Sequence, residues 1–178
     1  MSEQDRTRWD AAHIDRDAPT TPALPAVFGD HAHLFPRTGT ALEIACGSGA
    51  AAVWLAQRGL DVHGVDVSTV AIDRARALAE QAGVTVRFEA VDLDEGLPPG
   101  GPVNLLLCHK FRDARLDGQI IERLAPGGLL AICVLSEVGA APGRFRAARG
   151  ELRTAFAVLE EVAAGEGDGE AWLLARRR

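Results

Sequence analysis

The sequence lacks any long apolar run. No stretch approaches the roughly 18 uninterrupted apolar residues that a membrane-spanning helix needs. The first ten residues, Met1 to Asp10, are polar and charged and contain no apolar core of a secretory signal peptide. We therefore expect a cytoplasmic chain with no membrane partner.

Cysteine is also scarce. Cys46, Cys108 and Cys133 are odd in number, lie far apart and are embedded in apolar runs. This pattern is typical neither of a disulfide framework nor of a zinc site. No cluster of His, Cys and carboxylate residues has metal-ligand spacing. We therefore expect a reducing compartment and no bound metal.

Positive charge is in short supply. The chain has 19 Lys and Arg against 25 Asp and Glu, which gives a formal net charge of −6. A nucleic-acid-binding face needs clustered Lys and Arg, and the run Arg176 to Arg178 is short enough to be a solvated tail. We expect no nucleic-acid partner.

The apolar content is sufficient for one hydrophobic core, since 47% of the 178 residues are hydrophobic. Residues 1–39 differ from the rest, because a charged start is followed by three prolines and an apolar patch that ends at Pro36. We interpret residues 1–39 as an arm leading into a helix, and 40–178 as the main domain. The patch consists of Leu24, Val27, Phe28, Leu34 and Phe35.

From Thr40 onward, short β-type runs alternate with segments of helical period, which is typical of βαβ units and a parallel sheet. Helices are predicted over 50–58, before Gly59, and from Ser68 to Gly83. The predicted strands are 41–46, 62–65, 85–88, 103–108 and 129–135. A short helix over 151–156 precedes a hairpin formed by 158–164 and 171–175, with a glycine-rich turn between them.

The chemistry is expected at the end of the first strand, where open parallel sheets bind ligands. Glu43 lies within that strand, and Gly47 and Gly49 follow at the head of the next helix. Residues 47–52 (GSGAAA) also satisfy a dinucleotide-binding pattern, so the glycines leave the ligand open. Glu43 disfavours a pyrophosphate and suits a cationic amino-acid group.

Two further acids follow strands. Asp66 comes about twenty residues after the glycine region, a position from which a carboxylate accepts hydrogen bonds from ribose hydroxyls. Asp92 follows the third strand, with Asp94 and Glu95 close by. Acids at three consecutive strand ends suit a cationic nucleoside.

Together these segments resemble class I S-adenosylmethionine (SAM)-dependent methyltransferases. The resemblance covers about Thr40 to Leu135 and is carried by residues 43–49, 65–68, 91–92 and 124–128. Within that family, the likeness is greatest to small detoxification-type enzymes of the tellurite-resistance and thiopurine kind. The resemblance implies a Rossmann-like α/β fold with a seven-stranded mixed sheet in the order 3-2-1-4-5-7-6. Helices would cover both faces, strand 7 would be antiparallel, and the arm would cover the site.

The resemblance also implies an activity and residue roles. A methyl group would pass from SAM to an O, S or N atom of a small-molecule acceptor by metal-independent in-line displacement, leaving S-adenosylhomocysteine (SAH). Glu43, Gly47 and Gly49 would hold the methionine part, Asp66 the ribose and Asp92 the adenine amino group. The implied cofactor-binding residues are Glu43, Ala45, Gly47, Gly49, Asp66, Val67, Val91, Asp92, Leu93 and Cys108.

The sequence departs from the family at Ala45, where a glycine is usual. We expect alanine to be tolerated there if its backbone stays in a β conformation. His109, at the end of the fourth strand, is the candidate general base, although methyl transfer can proceed without one. The arm and the loop over 139–146 are expected to recognise the acceptor, and Trp9 and Phe28 either close over the cofactor or pack the arm.

Two alternatives stay open. A domain that binds SAM or SAH as a sensor or scaffold would share these motifs without turnover. An NAD-dependent oxidoreductase would share the glycine turn. The oligomeric state, monomer or homodimer, is equally open, because one apolar set can form either helix core or a dimer face. That set is Leu116, Ile120, Ile121 and Leu124.

Overall fold

The computed structural model describes residues 3–14, 19–141, 143 and 146–178. In the predicted acceptor loop, Pro142, Arg144 and Phe145 lie outside the described residues. The helices are α1 (Glu3–Ile14), α2 (Ala50–Gln57), α3 (Thr69–Ala82), α4 (Asp117–Arg123) and α5 (Glu151–Ala155). The strands are β1 (Thr40–Ile44), β2 (Asp61–Asp66), β3 (Arg87–Ala90), β4 (Val103–His109), β5 (Leu124–Leu135), β6 (Glu160–Gly167) and β7 (Glu170–Arg176).

The strands form one seven-stranded sheet in the order β3-β2-β1-β4-β5-β7-β6. β1 pairs with β2, β2 with β3 and β4 with β5 in parallel, whereas β7 runs antiparallel to both β5 and β6. The predicted order and the antiparallel strand 7 are confirmed. The chain forms two compact units, Met1–Pro98 and Pro99–Arg178. The proposed division at residue 39 stays a prediction.

In the first unit, local signals set the helix ends. Helix α3 begins after Ser68, whose side-chain oxygen accepts a hydrogen bond from the Ala71 amide at 3.1 Å. It ends at Gly83, which adopts a left-handed conformation with φ of 67°. Both ends match the prediction. The buried face of α3 carries Ala71, Ile72, Ala75, Leu78 and Ala79.

The arm contributes to the core. Its apolar patch folds as a 3₁₀ helix over Ala26–Leu34, and Phe28 is fully buried with its ring centroid 5.9 Å from that of Phe35. Phe28 therefore packs the core rather than covering a ligand. Trp9 on α1 remains partly exposed. Among the described helices, none has the length and apolarity that a membrane crossing requires.

In the second unit, α4 packs on β4 and β5. Leu116, Ile120 and Leu124 are buried, whereas Ile121 is half-buried. The buried three belong to the core, which favours the first of the two interpretations of this apolar set.

Several boundaries differ from the prediction, because pairing with a neighbouring strand sets them. β3 begins two residues later than predicted, since its register matches Val65 with Glu89 and Asp66 with Ala90. β5 begins at Leu124, which pairs with Val103 before a register shift. The turn at Gly127 is held by its amide, which donates to the Arg177 carbonyl at 2.7 Å.

Candidate functional site

Glu43 is a buried acid near the carboxyl end of β1. Its side chain is only 3% exposed, and the amide of Ala52 donates a hydrogen bond to it. The other carboxyl oxygen, Oε2, is buried and has no hydrogen-bond partner among the described residues. Burial raises the pKa of Glu43 to about 8, the Ala52 bond opposes that rise, and the charge of Asp66 adds to it. A buried acceptor atom without a hydrogen-bond partner marks a position where a ligand can supply the donor.

The turn after β1 consists largely of left-handed residues. Gly47 has φ of 53° and Gly49 has φ of 80°, and the Gly49 amide donates to the Cys46 carbonyl at 3.0 Å. Ala45 also has a left-handed φ, at 52°. The expected β conformation at Ala45 was wrong, because the chain must reverse direction immediately after the strand. Ala45 therefore carries a conformational cost that glycine would avoid.

We predict that Ala45→Gly stabilises the protein by about 0.5–1 kcal/mol. The left-handed conformation costs an alanine roughly 1–2 kcal/mol, and the greater chain entropy of unfolded glycine offsets about 0.5–1 kcal/mol of the gain. Urea unfolding measures the difference. Ala90→Gly is the control, since Ala90 is exposed on β3 and is not left-handed. Equal destabilisation by both changes would contradict the prediction.

Gly49 and Gly64 are required by packing. A Cβ at Gly49 would lie 2.6 Å from the Ala75 Cβ and 2.9 Å from Phe88 Cζ. A Cβ at Gly64 would lie 2.7 Å from Phe88 Cε1. The Phe88 ring therefore lies against both glycines. Gly64 was not among the residues predicted from the sequence, although a glycine inside a strand is itself a signal of close approach.

Asp66, at the end of β2, connects two turns. Its Oδ2 accepts from the Gly47 amide at 2.8 Å, and its Oδ1 accepts from the Ser68 amide at 2.9 Å. A carboxylate has about four acceptor positions, so each oxygen keeps one for a ligand. Asp66 thus supports the glycine turn and can still accept hydrogen bonds from two hydroxyl groups.

Asp92 follows β3, as predicted. Its carboxylate accepts from the Asp94 amide at 2.9 Å and caps a 3₁₀ turn over Leu93–Glu95. Leu93 is buried, whereas Asp94 and Glu95 are exposed. The amide of Val91 donates to the Asp66 carbonyl at 2.9 Å, which ties this segment to the end of β2. Val67 is buried.

Helix α1 reaches the same turns, a contact that was not predicted from the sequence. Asp10 Oδ1 accepts from the Ser68 hydroxyl at 2.6 Å and from the Val70 amide at 3.4 Å. A Cβ added to Gly47 would lie 3.6 Å from the His13 ring, and the Arg74 guanidinium donates to the His13 carbonyl. The only sequence signals were a charged segment and a lone histidine.

The end of β4 belongs to the second unit. Cys108 is buried, and its thiol donates to the Phe111 carbonyl at 3.2 Å. Burial and the Lys110 charge lower the pKa of His109, opposed by Glu170. The imidazole is therefore neutral at pH 7 and can accept a proton. Lys110 forms an ion pair with Glu170 at 3.3 Å.

Within the part of the chain that the structure describes, no three or more His, Cys, Asp or Glu residues are grouped to hold a metal ion. The family model described as "Methyltransferase domain" matches residues 41–128, about half of the chain. This segment contains Glu43, the glycine turn, Asp66 and Asp92 in the expected order. The chain carries a class I methyltransferase domain.

Curated relatives of this methyltransferase domain carry different substrate names. Ribosomal RNA small subunit methyltransferase C from Alcanivorax borkumensis is 32% identical over 55% of this chain and 33% of its own length. Ubiquinone biosynthesis O-methyltransferase from Psychrobacter cryohalolentis is 28% identical over 57% of this chain and 41% of its own. The chain spans less than half the length of these curated relatives.

Solved structures share the fold of the methyltransferase domain. TehB from Haemophilus influenzae has a TM-score of 0.78 at 18% identity, with 89% of this chain and 64% of TehB covered. The N-methyltransferase NodS from Bradyrhizobium japonicum, in complex with SAH, has a TM-score of 0.71 at 21% identity, with 96% and 97% covered. Identities this low show the fold alone.

Proposed function

We propose that this protein binds SAM and transfers its methyl group to an O, S or N atom of a small-molecule acceptor, without a metal. The observation that carries the proposal is the buried Oε2 of Glu43, which has no partner among the described residues and lies in the strand that leads into the glycine turn. An acid at this position can pair with the ammonium group of the methionine part of SAM.

The neighbouring groups support the same ligand. Asp66 keeps acceptor positions for two ribose hydroxyls while it holds the Gly47 and Ser68 amides. Asp92 and the buried Leu93 follow the next strand, where an adenine amino group and ring would be met. A nicotinamide dinucleotide would bring its pyrophosphate to this turn, and a pyrophosphate has no donor to offer the buried Oε2 of Glu43.

The acceptor is proposed to be small. The formal net charge of −6 disfavours the phosphate backbone of nucleic acid, and the O-methyltransferase name of one curated relative is compatible with a small phenol or alcohol. A cytoplasmic location and a monomeric or homodimeric state belong to the same proposal. The arm and the 139–146 loop remain the proposed recognition elements.

We propose His109 as the general base. We expect His109→Ala to lower kcat about 100-fold, in the range that general-base catalysis contributes, while the Kd for SAM changes less than about 3-fold. Single-turnover methylation of an acceptor found by screening measures the first quantity, and calorimetry the second. His33→Ala, which alters an exposed histidine, is the control. Unchanged turnover in His109→Ala would exclude the role.

Isothermal titration with SAM, SAH and NADH tests the proposed cofactor. We expect micromolar or tighter binding of both adenosyl ligands and none of NADH. A panel of small thiols, phenols and amines then tests turnover by SAH release. NADH binding alone would favour the oxidoreductase, whereas SAM binding without turnover on any acceptor would favour a sensor or scaffold.

A further inference from the structure

Ser68 is a fully buried hydroxyl at the head of α3. Its oxygen accepts from the Ala71 amide at 3.1 Å, and its one hydrogen is donated to Asp10 Oδ1 at 2.6 Å. A hydroxyl has a single hydrogen to donate, and a buried donor without an acceptor is costly. Asp10 on α1 therefore determines which way the Ser68 hydroxyl points.

The same residue connects to Asp66. The Ser68 amide donates to Asp66 Oδ1, and the other oxygen of Asp66 accepts from the Gly47 amide. A continuous hydrogen-bonded chain thus runs from Asp10 through Ser68 and Asp66 to Gly47. Its first member is 58 residues away from Ser68 in sequence. Because charge-assisted bonds are short and directional, the position of α1 is transmitted to the Asp66 carboxylate.

We propose that Asp10 is a positioning residue for the cofactor, which orients the Asp66 carboxylate through Ser68 and so links the docking of α1 to cofactor binding. This inference rests on the proposed function, because it assumes that Asp66 receives the ribose. Linkage is reciprocal, so cofactor binding must strengthen the docking of α1 by the same factor.

A second contact of α1 makes it possible to distinguish a positioning role of Asp10 from a role of α1 as a cover alone. The Arg74 guanidinium also holds α1, by its hydrogen bond to the backbone carbonyl of His13. If α1 acts only as a cover, loss of either contact weakens binding equally. If Asp10 acts through Ser68, loss of the Asp10 carboxylate is the more damaging change.

The test is calorimetric titration with SAH of wild type, Asp10→Ala, Asp10→Asn, Ser68→Ala, Asp10→Ala/Ser68→Ala and Arg74→Ala. We expect Asp10→Ala to raise the Kd about 10-fold, because the charge-assisted bond between Ser68 and Asp10 is lost. Asp10→Asn keeps an acceptor oxygen and should stay within about 3-fold of wild type. The double variant should have a Kd no higher than that of whichever single variant binds SAH more weakly. Arg74→Ala should change the Kd less than about 3-fold.

A measurement on the wild type makes the test independent of whether the variants fold. Hydrogen exchange of the α1 amides from Thr7 to His13 should slow when SAH binds. Unchanged exchange in SAH-bound wild type, wild-type affinity in Asp10→Ala, or equal weakening by Asp10→Ala and Arg74→Ala would each overturn the inference while leaving the proposed function in place. Failure of the wild type to bind SAH would instead refute the proposed function.

Discussion

Asp66→Ala is expected to weaken SAM binding by at least about 100-fold. Two hydrogen bonds from ribose hydroxyls to a charged carboxylate contribute roughly 1.5–3 kcal/mol each, and their joint loss corresponds to about two or more powers of ten in Kd. Isothermal titration of both proteins with SAM measures the change. Wild-type affinity in Asp66→Ala would refute the ribose assignment.

The same substitution should also lower stability, which the sequence did not suggest. From the sequence alone, removal of this carboxylate opens no core cavity and leaves the fold intact. In the structure, it also removes the acceptor of the Gly47 and Ser68 amides. We expect a loss of about 1–3 kcal/mol in the free energy of unfolding. Asp61→Ala is the matched control, because Asp61 is exposed at the other end of β2.

Glu43 is expected to make the stability of the protein depend on pH. The pKa of this carboxyl is about 8 in the folded chain and 4.5 ordinarily, so the folded state binds more protons between these values. Stability from this group is therefore fully present below about pH 4.5 and is lost as the pH rises through 8. The change amounts to about 3–5 kcal/mol, at roughly 1.4 kcal/mol per pH unit.

Glu43→Gln tests this prediction, because glutamine keeps the shape of the side chain and does not ionise. Urea unfolding of both proteins is measured at pH 5.5, 7.0 and 8.5. We expect the variant to gain stability relative to wild type as the pH rises. Glu80→Gln, at an exposed position on α3, controls for the loss of a carboxylate. Parallel pH profiles for Glu43→Gln and wild type would contradict the prediction.

A buried acid that lowers the free energy of unfolding near neutral pH is expected at a position where it serves a function. Perturbed carboxyl groups with unmet hydrogen-bonding capacity cluster at functional sites, and Glu43 combines both properties with a position next to the glycine turn. The proposed ammonium group of the cofactor would supply the missing donor. Glu43 therefore lowers the stability of the free protein at a position where a cationic ligand would restore it.

Much of the fold could be predicted from the sequence, because its signals are local. The alternation of strand-period and helix-period segments, the cap at Ser68 and the glycine at Gly83 each depend on residues within one or two turns of chain. The order of Glu43, the glycines and Asp66 followed from strand ends that share one sheet edge. These local features carried the methyltransferase resemblance, and the strand order was predicted from that resemblance.

Tertiary structure decided the features that depend on distant partners. The placement of Phe88 against Gly49 and Gly64, the hydrogen bond from the Gly47 amide to Asp66, and the docking of Asp10 on Ser68 all join segments that are far apart in sequence. The left-handed backbone of Ala45 likewise follows from the path that the chain takes after β1. Hydrophobic period and cap residues report on a residue's own helix or strand, whereas such contacts arise only when separate elements pack together.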